Sequence, residues 1–187
     1  VGERLRCIKK IIDADQLTVV TTIDGCIDML VGIDRYINAQ IELKKGDIID
    51  VEDISSRLVN YGYERMAMVE HQGQFAVRGG IIDIFSHVDE SPVRIELWDD
   101  EIDSIRFFDV ESQRSLENLE QITIYPAAEK EEEKDMVSFL DYFPEKETII
   151  YLDEPNRLTE AATQIEQEFQ ESMYNRKARG YCDLTED

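Results

Sequence analysis

Between Gly73 and Arg114 the chain reads GQFAVRGGIIDIFSHVDESPVRIELWDDEIDSIRFFDVESQR. No other stretch constrains the fold as much. Apolar and polar residues alternate in three runs, punctuated by Gly, Pro, Asp and Ser, which is the pattern of an antiparallel sheet with one face on a core and one in water. Val93, Ile95 and Leu97 fall on one face, and Arg94, Glu96 and Trp98 on the other. A register slip of one residue would turn Arg94 into the core, a costly burial, so the alternation assigns these three residues to the wet face. Trp98 is the only tryptophan in the chain. A tryptophan shown to solvent beside arginines combines the residue types that dominate protein–protein hot spots.

Charge narrows the classes of partner. With 42 acidic against 20 basic residues the formal net charge is −22. Nucleic-acid binding depends on neutralising phosphates with Lys and Arg, and the basic residues here are not clustered, so direct DNA binding is disfavoured. Most of the acidity reads as solubility, with a basic docking partner as the sharper alternative. No apolar run reaches the roughly 20 residues of a membrane span, and Val1 to Ile12 is interrupted by Glu3, Arg4, Arg6, Lys9 and Lys10, unlike a signal peptide. The chain opens on Val1, so it is expected to be a piece of something longer. Cys7, Cys26 and Cys182 have no metal-ligand spacing, and His71 and His87 are scattered. Reduced thiols, no metal and no cofactor are expected.

Along the chain, Leu5, Ile8 and Ile12 have helical spacing, QLTVVT (16–21) reads as a short buried strand, and Thr22 or Asp24 caps a second helix ending near Leu30. Lys44-Lys45-Gly46-Asp47 is a turn. Asp50 is the N-cap of a helix bearing Val51, Ile54, Leu58 and Tyr61 on one face and ended by Gly62. From Met68 the period becomes two. Phe75 and Val77 alternate with Ala76 and Arg78, Gly79-Gly80 breaks or bulges the strand, and 81–85 continues it with Asp83 outward. Ser86 to Pro92 is a loop, Asp99-Asp100-Glu101 a turn, Ile105 and Phe107 one face of the next strand, and Leu119 to Tyr125 a last strand stopped by Pro126. Glu129 to Asp135 is a solvated charge run. ETIIYLD (147–153) reads as a buried strand. It leads from Pro155 or Asn156 into a helix with the stripe Leu158, Ala162, Ile165, Phe169 and Met173, closed by Arg176, Lys177, Arg179 and Gly180. The expectation is an α/β layer at both ends with a β-rich module between.

Catalytic motifs fail one by one. IIYLDE (149–154) looks like the strand that carries magnesium-binding Asp153 and water-orienting Glu154 in nucleotide hydrolases. Such a site needs a GxxxxGK[ST] phosphate loop, which occurs nowhere in this sequence. Paired carboxylates abound without the apolar flanks that would raise a pKa, and no Ser–His–Asp or Cys–His set stands out. The chain is not expected to be an enzyme.

LVNYGYER (58–65), GQFAVRGGIIDIF, RIELWDDEIDSIRFFDVESQRS and ITIYPAAE (122–129) together resemble the UvrB-homology module of bacterial transcription-repair coupling factors. DVESQRSL (109–116) resembles those factors more than UvrB itself, although a fragment of UvrB is an alternative. The likeness is dense from about Ile41 to Glu129 and weaker in VVTTIDGCIDML (19–30) and SFLDYFPEKETIIYLDEPNRL (138–158). It implies an α/β (α+β) chain: a β-rich antiparallel UvrB-like domain 2, residues 38–127, inserted in a truncated, degenerate helicase-like α/β domain 1. Domain 1 would contribute residues 1–37 and, after an acidic linker, a returning strand and helix within 128–187. It further implies that the module docks UvrA, the damage-sensing ATPase of nucleotide excision repair, in a bacterial cytoplasm. Arg78 and Arg94 take the places of the family's two docking arginines. Trp98 stands where the family usually has phenylalanine, a departure that keeps an aromatic anchor but enlarges it, and Glu96 is a neighbour on the same face. In the family the same face is also covered by the protein's own C-terminal domain, an autoinhibitory alternative. RNA polymerase and DNA would be reached only through domains outside this chain. A DNA-contacting repair module and a structural spacer are the alternatives of other classes.

Overall fold

The computed structural model describes residues 2–128 and 136–179. In chain order the elements are α1 (Gly2–Asp13), α2 (Ile23–Ile27), β1 (Met29–Val31), α3 (Ile33–Asn38), β2 (Ile41–Lys44), α4 (Val51–Asn60), β3 (Glu64–Arg65), β4 (Gln74–Arg78), β5 (Ile81–Phe85), β6 (Val93–Trp98), β7 (Glu101–Phe108), β8 (Ser115–Leu119), β9 (Gln121–Ile124), β10 (Met136–Ser138), a 3-10 turn (Phe139–Tyr142) and α5 (Pro155–Ala178). Among these residues, 2–17 with 31–128 belong to one compact unit and 18–30 with 136–179 to another. The composition is α+β and β-rich, with a mostly antiparallel sheet, as the alternation requires.

The first unit is built on a six-stranded sheet in the order β3-β4-β5-β6-β7-β8, antiparallel except for the β3–β4 pair. Beside it β2 pairs antiparallel with β9, Ile41 opposite Ile124. The core joins Phe75, Ile82, Ile84, Val93, Ile95 and Ile105 from one face of the large sheet to Ile41, Leu43 and Ile124 from the small one and to Ile54 and Leu58 of α4. Helix α4 starts where Asp50 Oδ1 accepts the backbone N–H of Glu52 at 2.8 Å and of Asp53 at 3.4 Å, which satisfies two of the helix's unpaired donors. It stops at Gly62, whose φ of +88° suits glycine, and a Cβ there would come within 2.6 Å of the Ala128 Cβ. The Tyr61 carbonyl then accepts from Ala127 and Ala128, and Tyr63 Oη donates to the Tyr125 carbonyl at 2.7 Å, tying the end of α4 to the chain leaving β9.

Several elements depart from the sequence expectation. Gly79-Gly80 does not bulge a continuing strand. It is the two-residue turn of a hairpin, with Arg78 opposite Ile81, Gly79 at φ +59° and a Gly80 Cβ position only 3.0 Å from the Leu97 carbonyl oxygen. The expected last strand is β9 (Gln121–Ile124), with only Leu119 belonging to the preceding strand; the departure is β8 (Ser115–Leu119), after which Glu120 breaks the strand and the chain crosses from the large sheet to pair with β2. Residues 29–31, expected in a helix, form β1 and pair with β10.

The second unit holds α2, most of β1, β10, the 3-10 turn and α5. The turn is closed by a reciprocal cap: Ser138 Oγ accepts from Leu140 N, and Asp141 Oδ2 accepts from Ser138 N at 2.8 Å. Helix α5 starts at Pro155 and carries Arg176 and Lys177 in its last turn as expected, but none of its residues is fully buried and Phe169 is exposed. QLTVVT (16–21) and ETIIYLD (147–153) form no strand. Ile149 is 96% and Tyr151 87% exposed. A buried strand needs hydrogen-bonding neighbours and apolar cover on both faces, and neither segment has a ladder partner among the described residues. The charge run 129–135 and Gly180 lie outside the described residues.

Asp89 lies in the loop after β5. Its carbonyl accepts from Gln72 Nε2 at 2.8 Å. Burial pushes its carboxyl from 3.8 up to about 6, with Lys9 partly offsetting the rise. The folded chain therefore holds this proton between about pH 4 and pH 6, where the unfolded chain has released it. Stability falls as pH rises through that window, and the penalty is complete above it. Asp89→Asn is expected to raise unfolding free energy near neutral pH by about 1–3 kcal/mol and to change it little near pH 4. Urea melts at the two pH values check this; an equal effect at both would show that the charge is not responsible.

Candidate docking face

The face of the large sheet opposite the core carries the charged residues in ordered rows. One row runs Ala76, Asp83, Arg94, Arg106 and Asn118 across β4 to β8, and the next runs Arg78, Ile81, Glu96 and Ser104 across β4 to β7. Past Glu96 the pairing shifts, Leu97 meeting Ile102 and Trp98 meeting Glu101, with the extra residue in β7. The alternation of β6 itself is unbroken, so Trp98 stays on the face of Arg94 and Glu96. The tight turn at Asp99, φ +61°, leaves the indole 81% exposed.

Asp83, expected outward, is on the expected face but only 1% exposed. Its carboxylate accepts Arg94 Nε at 2.7 Å and Arg94 Nη2 at 2.9 Å, and Arg78 Nη2 closes on the second oxygen. Two guanidiniums cover one carboxylate, and this is why a charged residue can be buried here: its lone pairs are occupied by charge-assisted donors. Arg94 is buried in turn, its side chain 11% exposed, against 41% for Arg78. Its guanidinium lies over the Phe108 ring at 4.2 Å from the centroid, and Nη2 also donates to Gln113 Oε1 at 2.8 Å. Alternation alone assigns Arg94 to water; the loop after β7 covers it instead. In that loop Asp109 Oδ1 accepts from Ser112 N and Oγ, and Gln113, at φ +58°, anchors Nε2 on the Val110 carbonyl at 2.7 Å, which aims its Oε1 at Arg94.

Arg94 and Arg106 stand directly opposite each other, an arrangement that like charges disfavour. Asp83 on one side and Glu96 on the other relieve it. Arg106 forms a two-pronged pair with Glu96, Nη1 to Oε2 at 2.6 Å and Nη2 to Oε1, while Ser104 Oγ donates to the same Oε2 at 3.0 Å. The hydrogen bond from Arg106 comes first among the causes that hold the Glu96 carboxyl below its ordinary value. Three guanidiniums thus meet two carboxylates in this network, while Glu101, opposite Trp98, adds a further carboxylate at the end of the face.

The structure brings Arg78 and Arg94 together through Asp83, places Glu96 one row away in a pair with Arg106, and leaves Trp98 free at the end of β6. Asp83 is placed on this face by the alternation, and a cross-strand pair of Arg94 with Glu96 or Asp83 is the ordinary reading of the sequence; the pair with Asp83 forms, whereas Glu96 goes to Arg106. Arg106, Gln113 and Phe108 are the members of this arrangement that reading along the chain does not single out. No group of His, Cys, Asp or Glu suited to a metal ion occurs among the described residues, and no helix is long and apolar enough to cross a membrane.

Comparison with known proteins gives this geometry a family. Residues 41–129 match the UvrB interaction domain. A transcription-repair-coupling factor of Staphylococcus aureus (strain bovine RF122 / ET3-1) is 42% identical over 128 residues, 68% of this chain and 11% of the relative. That of strain MRSA252 is 40% identical over 139 residues, 74% and 12%. A Staphylococcus epidermidis factor of the same name is 41% identical over 128 residues, 68% and 11%. The chain spans about an eighth or less of the length of these curated relatives.

The two arginines on Asp83 differ in burial, so their removal should differ in cost. Arg94→Ala strips a nearly buried carboxylate of its two-pronged partner and is expected to destabilise the fold by about 3 kcal/mol or more. Arg78→Ala leaves that pairing in place and is expected to cost about 1 kcal/mol or less. Urea unfolding of the two variants checks the order, and equal losses would contradict it.

Proposed function

Residues 41–129 are a UvrB interaction domain of the transcription-repair coupling factor family, and from that premise we propose that the face bearing Arg78, Arg94, Glu96 and Trp98 docks UvrA. The observation that carries the reading is Trp98. It is the largest side chain in the sequence and lies almost fully in solvent, on the face where guanidiniums are already held in fixed geometry. Exposure of an indole gives the isolated fold nothing, whereas at an interface it supplies a large rigid apolar area next to oriented donors. The ion pairs behind it fix the side chains before a partner arrives, which lowers the ordering cost of association.

In this reading the chain contributes recruitment and no catalysis. The matched domain is a docking module, and any ATP-driven movement on DNA, contact with RNA polymerase or masking by a C-terminal domain belongs to other parts of a longer bacterial, cytoplasmic protein. The half-exposed guanidinium of Arg78 would meet a carboxylate on UvrA, with an apolar recess for the indole.

Trp98→Ala is expected to leave the unfolding transition unchanged and to weaken binding to purified UvrA about thirtyfold, the effect of losing an interface hot spot of about 2 kcal/mol. Calorimetric titration of parent and variant measures it. Parent-like affinity in the folded variant would remove the indole from the interface, and absence of binding by the parent chain would overturn the docking reading itself.

A further inference from the structure

We infer that Asp83 is a positioning residue that divides the labour of the two arginines: it immobilises Arg94 as a scaffold and holds Arg78 as the guanidinium offered to a carboxylate of the partner. The inference rests on the docking reading and deepens it, because it separates two residues that the sequence treats alike.

The geometry distinguishes them at every contact. Arg94 spends Nε and Nη2 on Asp83, shares Nη2 with Gln113, stacks over Phe108 and is nearly enclosed. A partner can reach little of it. Arg78 gives only Nη2 to Asp83, from the last position of β4, and keeps 41% of its side chain in solvent. A guanidinium has five N–H donors in a rigid fork, so one bond to Asp83 anchors one arm of Arg78 at the cluster and leaves its other donors available. Asp83 is buried, and two guanidiniums share its one negative charge, so Asp83 by itself neutralises only one of them. The ligand chemistry that completes the cluster is an exposed aspartate or glutamate of the docking protein, which would turn a pair of arginines on one carboxylate into a two-by-two arrangement. Asp83 itself, under both guanidiniums, does not touch the partner.

A double-mutant cycle on UvrA binding tests this, using Asp83→Asn, Arg78→Ala and their combination, with thermal melts as the fold control. If Asp83 acts by aiming Arg78, Asp83→Asn weakens binding about tenfold in the parent but less than about twofold when Arg78 is already alanine. An equal loss in both backgrounds would mean that Asp83 matters only to the fold, and the inference would fall. Should Asp83→Asn not fold, Asp83→Glu keeps the charge and displaces it by one methylene, and the same non-additivity is expected of it.

A second readout does not depend on the partner. In the parent the guanidinium N–H signals of Arg78 and Arg94 should be resolved in nitrogen-edited NMR spectra, and both sets should collapse in Asp83→Asn while backbone signals of the core strands persist. Unchanged side-chain signals would overturn the inference even if docking stands. Conversely, a parent chain that shows these signals yet does not bind UvrA would defeat the docking reading and leave the Asp83 clamp in place as structure alone.

Discussion

A buried carboxylate organises the solvent-side face of the large sheet. Asp83 is sealed beneath two guanidiniums, and an unpaired charge at that depth would be too costly to keep. Its burial therefore requires Arg78 and Arg94 to be where they are. Arg94 in turn needs Phe108 beneath it and Gln113 beside it, so the loop from Asp109 to Arg114 must fold back over the sheet. Arg106, forced opposite Arg94 by the strand register, needs Glu96 and Ser104. The face is one connected network, whose members are fixed by satisfying one another before any partner is present. Networks of this kind rigidify a surface because a half-satisfied version is worse than none.

The sheet that carries the network was legible in the sequence because alternation encodes it directly. Val93, Ile95 and Leu97 turn to the core as the period-two pattern requires, and Asp50 and Gly62 bound α4 by local chemistry that a short window contains. What escaped were facts that exist only across strands. The alternation allows Arg94 to pair across strands with Glu96 or Asp83 but does not choose between them, and nothing within DVESQR indicates that Gln113 reaches back to it. Both follow from hairpin turns that bring separate segments into register. The Gly79-Gly80 turn illustrates the ambiguity, since two glycines inside an apolar run are compatible with a bulge or with a reversal, and pairing with β5 decides for the latter.

The second unit shows the opposite failure. QLTVVT and ETIIYLD have the apolar content of central strands, and α5 carries a regular apolar stripe, yet the strands do not form and the stripe stays half covered. Periodicity states what a segment needs in order to be buried. It does not state that the neighbours are at hand. A strand of a parallel layer is stable only with ladders on its flanks and cover on both faces, so its pattern is a requirement on the rest of a protein more than a property of the segment. The antiparallel hairpins of the first unit carry their partners a turn away in sequence and meet the same requirement locally.

That contrast bears on how a strongly acidic chain can present a selective surface for an acidic patch. Net charge acts over distances that salt screens within about 8 Å, so −22 spread over the chain says little about a contact between two side chains. In the proposed docking, what decides the contact is a pair of guanidiniums that share one carboxylate, combined with an indole left largely in solvent. A loose arginine on such a surface would find acidic neighbours of its own and be neutralised. Arg78 escapes this because Asp83 is shared: the carboxylate that fixes its orientation is already largely committed to Arg94. Orientation is thus obtained without full neutralisation, and the remaining donors stay available to a carboxylate from another molecule. In the proposed docking, the acidic remainder of the chain acts as a filter: its charge disfavours nucleic acid and other polyanions, while the face is open to a partner whose shape brings one carboxylate to Arg78 and one apolar recess to Trp98.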